Sequence, residues 1–234
     1  SNLCLKRKHH NNMKPKYQWE SFSHPKLTKL KNKYNLSKNI ADGKDEYKQQ
    51  LLLKNWVHKT LPNGNPSEDY SSKSALDILK DAKEGKKFWC SHYAITYLQC
   101  GLALGWYTRK LGVDVDHEFG EKEMHHGVVD IWSNKFQKWY VIDPTYNIHF
   151  EKENFPLNAV EIREEYIKNK AKFLKGIIGN YNKTVSFDKN SRGFDTPSNY
   201  FWIFISLRNN FLEKPGIYNT KTLLWVDKYN KDKK

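Results

Sequence analysis

One stretch of the sequence, HHGVVDIWSNKFQKWYVIDP at residues 125–144, constrains the fold more than any other. Apolar and polar residues alternate on both sides of a polar centre, a pattern typical of two antiparallel strands joined by a turn. His126 lies at the start of the first strand and Asp143 at the end of the second. The stretch therefore predicts a β-hairpin with an imidazole and a carboxylate at its open end.

The register of this hairpin decides whether the two side chains meet. If the loop is centred between Asn134 and Lys135, His126 and Asp143 are directly opposite each other. Opposed Cβ atoms in an antiparallel pair are about 4.5–5.5 Å apart, which suits a hydrogen bond from an imidazole N–H to a carboxylate. Loops of two or four residues give this register, and a loop of three does not. We therefore expect a His126–Asp143 hydrogen bond across directly paired positions.

Helical periodicity comes first in the chain and strand patterns follow, which favours an α+β fold. Before the hairpin, the spacing predicts helices near Pro25–Tyr34 and over 46–60, 73–84 and 90–104, a loop over 61–72, and a strand over 106–115. After it, Asn158 and Glu161 form a capping-box pattern for a helix that ends at Gly176, 177–199 is irregular, and 200–207 and 222–226 are strands. We interpret 1–45 as a basic arm with one short helix, and 46–234 as a single domain.

The three cysteines, Cys4, Cys90 and Cys100, cannot form a disulfide framework. Cys90 and Cys100 share one predicted helix, where ten residues span about 15 Å, whereas a disulfide needs Cα atoms within about 7 Å. At least one thiol is therefore free. Cys100 falls inside the helix and is expected to be structural, and we assign no role to Cys4.

Cys90 lies at the predicted start of helix 90–104, and this position favours a thiolate. The N-terminus of a helix carries partial positive charge and unpaired N–H groups, which lower a thiol pKa. A neighbouring imidazole would stabilise the thiolate further, and an aspartate would orient that imidazole. Cys90, His126 and Asp143 together would form a coherent centre for acyl transfer.

Three segments, FWCSHYA (88–94), HHGVVDIW (125–132) and WYVIDPTYN (139–147), resemble the motif blocks of the transglutaminase-like superfamily. The resemblance covers roughly residues 50–165. It implies a papain-like α+β fold in which a cysteine at a helix N-terminus packs on an antiparallel sheet that carries the histidine and the aspartate. Cys90 would then be the nucleophile, His126 the general base and acid, and Asp143 the orienting group, with no cofactor. By analogy with bacterial members, we expect an extracytoplasmic protein whose signal has been removed.

Two positions depart from the family pattern. Phe88 stands where members often carry glycine, and Val128 where they often carry tryptophan. We expect these departures to affect substrate fit more than the triad. The candidate substrate-binding residues are Trp89, Trp56, His125 and Tyr146. Either Trp56 or the Cys90 backbone N–H is the candidate oxyanion donor, and the sequence does not choose between them.

The leading hypothesis is a cysteine enzyme that acts on amide bonds of a protein or peptide through a thioester. Water as acceptor gives a peptidase or amidase, which we favour slightly, and an amine gives a transglutaminase. The alternative is a catalytically inactive domain of the same fold that binds peptide or glycan, including cell-wall peptide.

The net charge of +14 raises a third hypothesis, a nucleic-acid binder. Residues 1–54 carry 13 Lys/Arg and 4 Asp/Glu, and 213–234 carry 6 and 3, so the middle of the chain is nearly neutral. Since a nucleic-acid enzyme usually has its basic stripe near its chemistry, we do not expect this partner. The ligand-rich run 114–126 lacks HExxH or Cys-pair spacing, so no metal site is predicted. The sequence contains no run of about 18 apolar residues, so we predict no membrane-spanning helix.

Overall fold

A computed structural model describes residues 17–66, 73–116 and 124–212, together with the backbone of 223–225. Within these ranges the chain is α+β, and its two larger sheets are antiparallel, as predicted. The helices are α1 (Pro25–Lys33), α2 (Leu36–Asn39), α3 (Glu46–Thr60), α4 (Ala75–Lys83), α5 (Cys90–Ala103) and α6 (Ala159–Asn169). The strands are β1 (Gln18–Trp19), β2 (Thr108–Asp114), β3 (His126–Ser133), β4 (Lys138–Ile142), β5 (Ile148–Lys152), β6 (Phe155–Pro156), β7 (Lys175–Ile178), β8 (Lys183–Ser186), β9 (Trp202–Ser206), β10 (Arg208–Asn209) and β11 (Leu223–Trp225).

A central sheet with the order β11-β9-β2-β3-β4 separates two hydrophobic cores. Because side chains alternate along a strand, β3 contributes Val129 and Ile131 to the first core and Val128 to the second. The first core is completed by α1 to α5. The second is completed by α6 and by a four-stranded sheet, β6-β5-β7-β8. The elements that carry Cys90, His126 and Asp143 are thus packed from both sides.

Gln50 on α3 connects the elements that carry the candidate site. Its side chain donates to the Trp132 carbonyl at the end of β3 (3.0 Å) and accepts from the Tyr140 hydroxyl on β4 (2.8 Å). Its backbone carbonyl accepts from the Tyr97 hydroxyl on α5 (3.1 Å). Gln50 is fully buried, and unpaired polar groups are costly there, so these bonds fix α3 against all three elements.

A buried polar network joins α3 to β5. Lys54 Nζ donates to His149 Nδ1 (3.1 Å), which leaves His149 Nε2–H to donate to Glu151 (3.1 Å). The Tyr47 hydroxyl lies 2.9 Å from His149 Nε2 and donates to Glu151 (2.7 Å). Burial lowers the pKa of Lys54 to about 7 and, reinforced by the Lys54 charge, that of His149 to about 4. The histidine is therefore neutral in the fold.

The hairpin is present, but the predicted register is wrong. Asp130 pairs with Val141 and Trp132 with Trp139, so the loop is Asn134–Gln137 and is centred one residue later than expected. Gln137, at the end of this loop, has a φ of 53°, a left-handed conformation that reverses the chain before β4. In this register Val128 is opposite position 143. His126 therefore reaches Asp143 along the diagonal of the same sheet face rather than straight across.

The capping box at Asn158 and Glu161 is present, but α6 ends at Asn169 instead of Gly176. Lys170 and Ala171 have φ values of 51° and 61°, which stop the helix. The chain then forms β7, which begins inside the predicted helix, and β8, which lies in the segment predicted to be irregular. Both strands have only four residues, KGII and KTVS, too short for alternation to stand out.

Residues 25–40 pack against the domain rather than extending as an arm. The predicted helix is present as α1, and Leu27, Leu30 and Leu36 are fully buried in the first core. The boundary predicted at residue 46 is therefore not visible as a break in packing. Residues 1–16 lie outside the described part of the chain. Among the helices described, none is both long and apolar enough to cross a membrane.

Candidate active site

Cys90 is the first residue of α5, and its backbone is fixed by a histidine cap. The Trp89 backbone N–H donates to His92 Nδ1 (3.1 Å), and His92 is buried. In this way His92 orients the turn that leads into Cys90. Cys90 itself is partly exposed, whereas Cys100 on the same helix is buried, and both are free thiols.

Gly127 allows the start of α5 to approach β3 closely. A Cβ added at Gly127 would lie 3.2 Å from Ser91 Cα and 3.3 Å from Ser91 N, tighter than ordinary contacts of about 3.5–4.0 Å. The Gly127 backbone also contributes to the lowered pKa of the Cys90 thiol. The glycine after His126 therefore sets the distance between the thiol-bearing helix and the histidine-bearing strand.

His126 and Asp143 form a buried hydrogen-bonded pair. His126 Nε2 lies 2.7 Å from Asp143 Oδ2. The other carboxylate oxygen accepts the backbone N–H groups of Thr145 (2.8 Å) and Tyr146 (3.2 Å). Because three donors satisfy the carboxylate, its orientation toward the imidazole is fixed. The second ring nitrogen, Nδ1, is then the one available to Cys90, which lines the same two cavities as His126.

The electrostatics of the site favour an ion pair between sulfur and imidazole. Burial by itself would lower the pKa of His126, but the Asp143 carboxylate and the Cys90 sulfur raise it to about 10. Burial by itself would raise the pKa of Cys90, but the His126 hydrogen bond and charge, the Gly127 backbone and Lys110 lower it overall. The two shifts together favour thiolate and imidazolium near neutral pH.

Lys110 on β2 is a part of the site that sequence reasoning missed. It is 4% exposed, and burial lowers its pKa to about 8 although the Cys90 charge opposes that shift. The segment WYTRKLGVDV was correctly predicted as a strand, but a lysine in a strand usually faces solvent. Only the position of β2 beside the start of α5 gives Lys110 its influence on the thiol.

Two cavities open on either side of Cys90 and His126. The aromatic cavity has a volume of about 320 Å³ and is lined by Asn63, Trp89, Cys90, Ser91, His125, His126, Thr145, Tyr146 and Phe194. The glycine cavity has a volume of about 200 Å³ and is lined by Cys90, Ser91, Lys110, Leu111, Gly112, Val113, His125, His126, Gly127 and Phe204. The sulfur and the imidazole therefore lie between two openings that could accept a substrate on both sides of a reacting bond.

Three of the four candidate substrate-binding residues line these cavities. Trp89 is 53% exposed, and Tyr146 contacts the His126 ring at a centroid distance of 5.4 Å. His125 borders both cavities, and its Nδ1 lies 2.7 Å from the buried Asp114. The ring of Phe194 lies parallel to that of Tyr146 and lines the aromatic cavity beside it. Phe194 belongs to a segment that the sequence predicted as irregular, so no sequence pattern indicated this role.

Trp56 lies elsewhere and corrects the fourth prediction. Its ring packs edge-on against Tyr34 at 6.3 Å and belongs to the periphery of the first core. It does not line either cavity. Trp56 faces the α1 side of α3 because its apolar ring completes that core, so we assign it to packing rather than to substrate or oxyanion binding.

The two departures from the family pattern are packing positions. Phe88 and Val128 are both fully buried, and neither lines a cavity. Phe88 contacts the ring of His92, and Val128 belongs to the second core. Within the described residues, no group of three His, Cys, Asp or Glu side chains could hold a metal ion.

No protein-family model matches the chain, and no curated protein matches it. Among solved structures, it is similar to a protein from Cytophaga hutchinsonii described as "a Putative Cysteine Protease". The two are 15% identical, with a TM-score of 0.41. The similarity covers 86% of this chain but only 57% of that one, so the chain spans less than two thirds of that protein's length.

Proposed function

We propose that the chain is a cysteine-dependent acyl-transfer enzyme of the transglutaminase-like, papain-like fold, acting on amide bonds of a protein or peptide. Cys90 is the nucleophile, His126 the general base and acid, and Asp143 the orienting carboxylate. The observation that carries the proposal is the buried hydrogen bond between His126 and Asp143 (2.7 Å), next to a partly exposed thiol whose pKa His126 lowers, at the meeting point of two cavities.

In the first half-reaction, the Cys90 thiolate attacks the carbonyl carbon of the substrate amide. The developing negative charge on the carbonyl oxygen needs preorganised donors. The Cys90 backbone N–H is suited to this role because the first N–H groups of a helix have no intrahelical partner. His126 Nδ1–H then gives its proton to the departing amine, and the acyl group remains on sulfur as a thioester.

In the second half-reaction, neutral His126 takes a proton from the acceptor, which attacks the thioester and releases the acyl product. Asp143 stabilises the imidazolium that is present before the first half-reaction and that re-forms in the second. Water as acceptor completes hydrolysis and an amine completes transamidation. We favour hydrolysis as the main reaction.

Alkylation of Cys90 as a function of pH tests the activated thiolate. We expect iodoacetamide to modify Cys90 at pH 6, with half-maximal rate well below the ordinary thiol pKa of about 8.5. Peptide mass spectrometry distinguishes this site from Cys4 and Cys100. Cys90→Ser should remove labelling at pH 6, and Cys100→Ser, the matched control on the same helix, should retain it. Half-maximal alkylation of Cys90 at 8.5 or above would overturn the proposal.

Activity is tested with a library of fluorogenic peptide amides, in the presence and absence of a fluorescent primary amine. We expect wild type to release the leaving amine, and Cys90→Ala to release none. Incorporation of the fluorescent amine in place of hydrolysis would identify transamidation. A wild type that alkylates at pH 6 but turns over no member of the library would favour a binding domain with an activated thiol.

A further inference from the structure

The turn that carries Asp143 is hydrogen-bonded to α3. His58 Nδ1 lies 2.9 Å from the Thr145 carbonyl oxygen, and since a carbonyl only accepts, the histidine donates. That carbonyl belongs to the peptide group between Thr145 and Tyr146. The N–H of the same peptide group donates to Asp143 Oδ1 (3.2 Å). A single peptide unit therefore links the His58 ring to the Asp143 carboxylate.

We propose that His58 is a positioning residue for Asp143, and through it for the thiolate–imidazolium pair. This inference rests on the proposed function. Donation to the carbonyl polarises the peptide group and strengthens the bond that its N–H makes to Asp143, because hydrogen bonds in series reinforce one another. The series runs from His58 through the 145–146 peptide to Asp143, then to His126 and Cys90.

A second contact supports the same turn. Asn147 has a φ of 56°, a left-handed conformation at the tip of the turn, and its side chain donates to Asn55 Oδ1 on α3 (2.9 Å). Asn55 and His58 are three residues apart and so share one face of the helix. Below the tip, Asp143 and Ile148 exchange backbone hydrogen bonds of 2.9 and 3.0 Å. The tip of the turn is therefore attached to α3, and the two chain segments at its base are hydrogen-bonded to each other.

Loss of the His58 donor has a defined consequence. The 145–146 peptide is freed to rotate, and Asp143 loses the alignment that directs Oδ2 toward His126 Nε2. A less stabilised imidazolium is a poorer partner for the thiolate. The pH of half-maximal Cys90 alkylation should therefore rise, which general weakening of packing would not cause by itself.

Three substitutions at one position separate this role from packing. In His58→Asn the side-chain amide places an N–H close to the position of Nδ1, whereas in His58→Gln the amide lies one carbon further out. His58→Ala removes the donor. We expect the alanine and glutamine variants to raise the pH of half-maximal Cys90 alkylation by about one unit, a tenfold change in the acid dissociation constant of the thiol. The asparagine variant should remain within threefold of wild type.

Lys59→Ala is the matched control, because Lys59 is the next residue on α3 and is exposed. It should leave the alkylation profile unchanged. The thermal unfolding midpoint of each variant is measured alongside, and if the alanine variant does not fold, the asparagine and glutamine pair carries the test. Equal profiles for those two, or a glutamine profile like wild type, would overturn the role of His58. A wild type without an activated thiol would instead overturn the proposed function.

Discussion

Cys90 and Cys100 lie on the same helix, yet their surroundings shift their acidities in opposite directions. Burial raises the pKa of Cys100 well above its ordinary value. Burial acts on Cys90 in the same sense, but His126, Gly127 and Lys110 outweigh it. What distinguishes the two thiols is that Cys90 lies beside strands β2 and β3, which carry these three residues. A cysteine in sequence is therefore informative only together with the residues that fold against it.

Gly127→Ala tests the close approach of α5 to β3. The added methyl group must displace the backbone at Ser91, and with it Cys90, by a few tenths of an ångström. We expect about a tenfold slower alkylation of Cys90 at pH 6 and a loss of about 1–3 kcal/mol in unfolding free energy, typical of overpacking. The measurements are the pH profile of labelling and urea unfolding. Wild-type values for both would contradict the assigned role of Gly127.

Asp143→Asn tests the orienting carboxylate with a nearly isosteric change. Without the negative charge, only the Cys90 sulfur opposes the effect of burial on His126, and the pKa of His126 should fall from about 10 toward 6.5. The histidine is then neutral at pH 7 and no longer stabilises the thiolate. We expect the thiol pKa to rise and amide turnover to fall by 10²-fold or more, on the order seen when a triad aspartate is replaced. The His126 ring titration by NMR and the peptide assay check both outcomes.

Elements of strong periodicity were predicted well. The sequence placed α3 and α5 at their observed bounds and gave β2, β9 and the hairpin, because each repeats an apolar pattern over several turns or pleats. Register was harder to predict. The turn ends in a left-handed glutamine, which carries no sequence signal of the kind that glycine or asparagine gives. The hydrogen bond between His126 and Asp143 is present although the predicted register is wrong, because diagonal neighbours on one face of a sheet are also within reach of long side chains.

The buried network between α3 and β5 makes a prediction about acid stability. His149 has a folded pKa of about 4 against 6.5 in an ordinary environment, so the unfolded chain binds more protons between these values. Stability should therefore fall as the pH drops from about 6.5 to about 4, by at most about 3 kcal/mol. Glu151, with a pKa lowered to about 2, adds to this loss below about 4.5. His126 has a raised pKa and loses its own contribution only as the pH rises above 6.5.

His149→Gln checks this assignment. The variant should be less stable than wild type at pH 7, because Lys54 and Glu151 lose a shared partner. Its unfolding free energy should nevertheless change less between pH 6.5 and 4.5, since the residue that titrates there is gone. Urea unfolding followed by tryptophan fluorescence at four pH values measures both. A slope as steep as that of wild type would mean that another group accounts for the acid loss.

At the scale of the whole molecule, the central sheet has a hydrophobic core on each face. The helical layer on the first core includes α1, which the sequence analysis assigned to a basic arm. Lysines dominate its composition, but they occupy the outer face, and Leu27 and Leu30 occupy the inner one. The lysine-rich average composition of residues 1–45 does not show that Leu27 and Leu30 share one apolar face of the helix. Lys110 and Phe194 were missed for a related reason, since only the assembled fold brings them to the cleft.

Leu30→Ala tests whether α1 belongs to the domain. Leu30 is 1% exposed, so removing its side chain should cost about 2–5 kcal/mol, the range for large-to-small changes in a core. Lys29→Ala, at the neighbouring exposed position, should change stability by less than about 0.5 kcal/mol. Thermal and urea unfolding of the two variants give the comparison. If the two variants were equally stable, residues 25–33 would not contribute to the core of the domain.

The hydrogen bonds of Gln50 have a consequence for how this protein is made. Gln50 is 82 residues from Trp132 and 90 from Tyr140, so its bonds form only after both of these residues have been synthesised. The groups that lower the pKa of Cys90 include His126 and Gly127, which also follow it in the chain. The acidity of this thiol therefore departs from its ordinary value only once the hairpin has packed against α5.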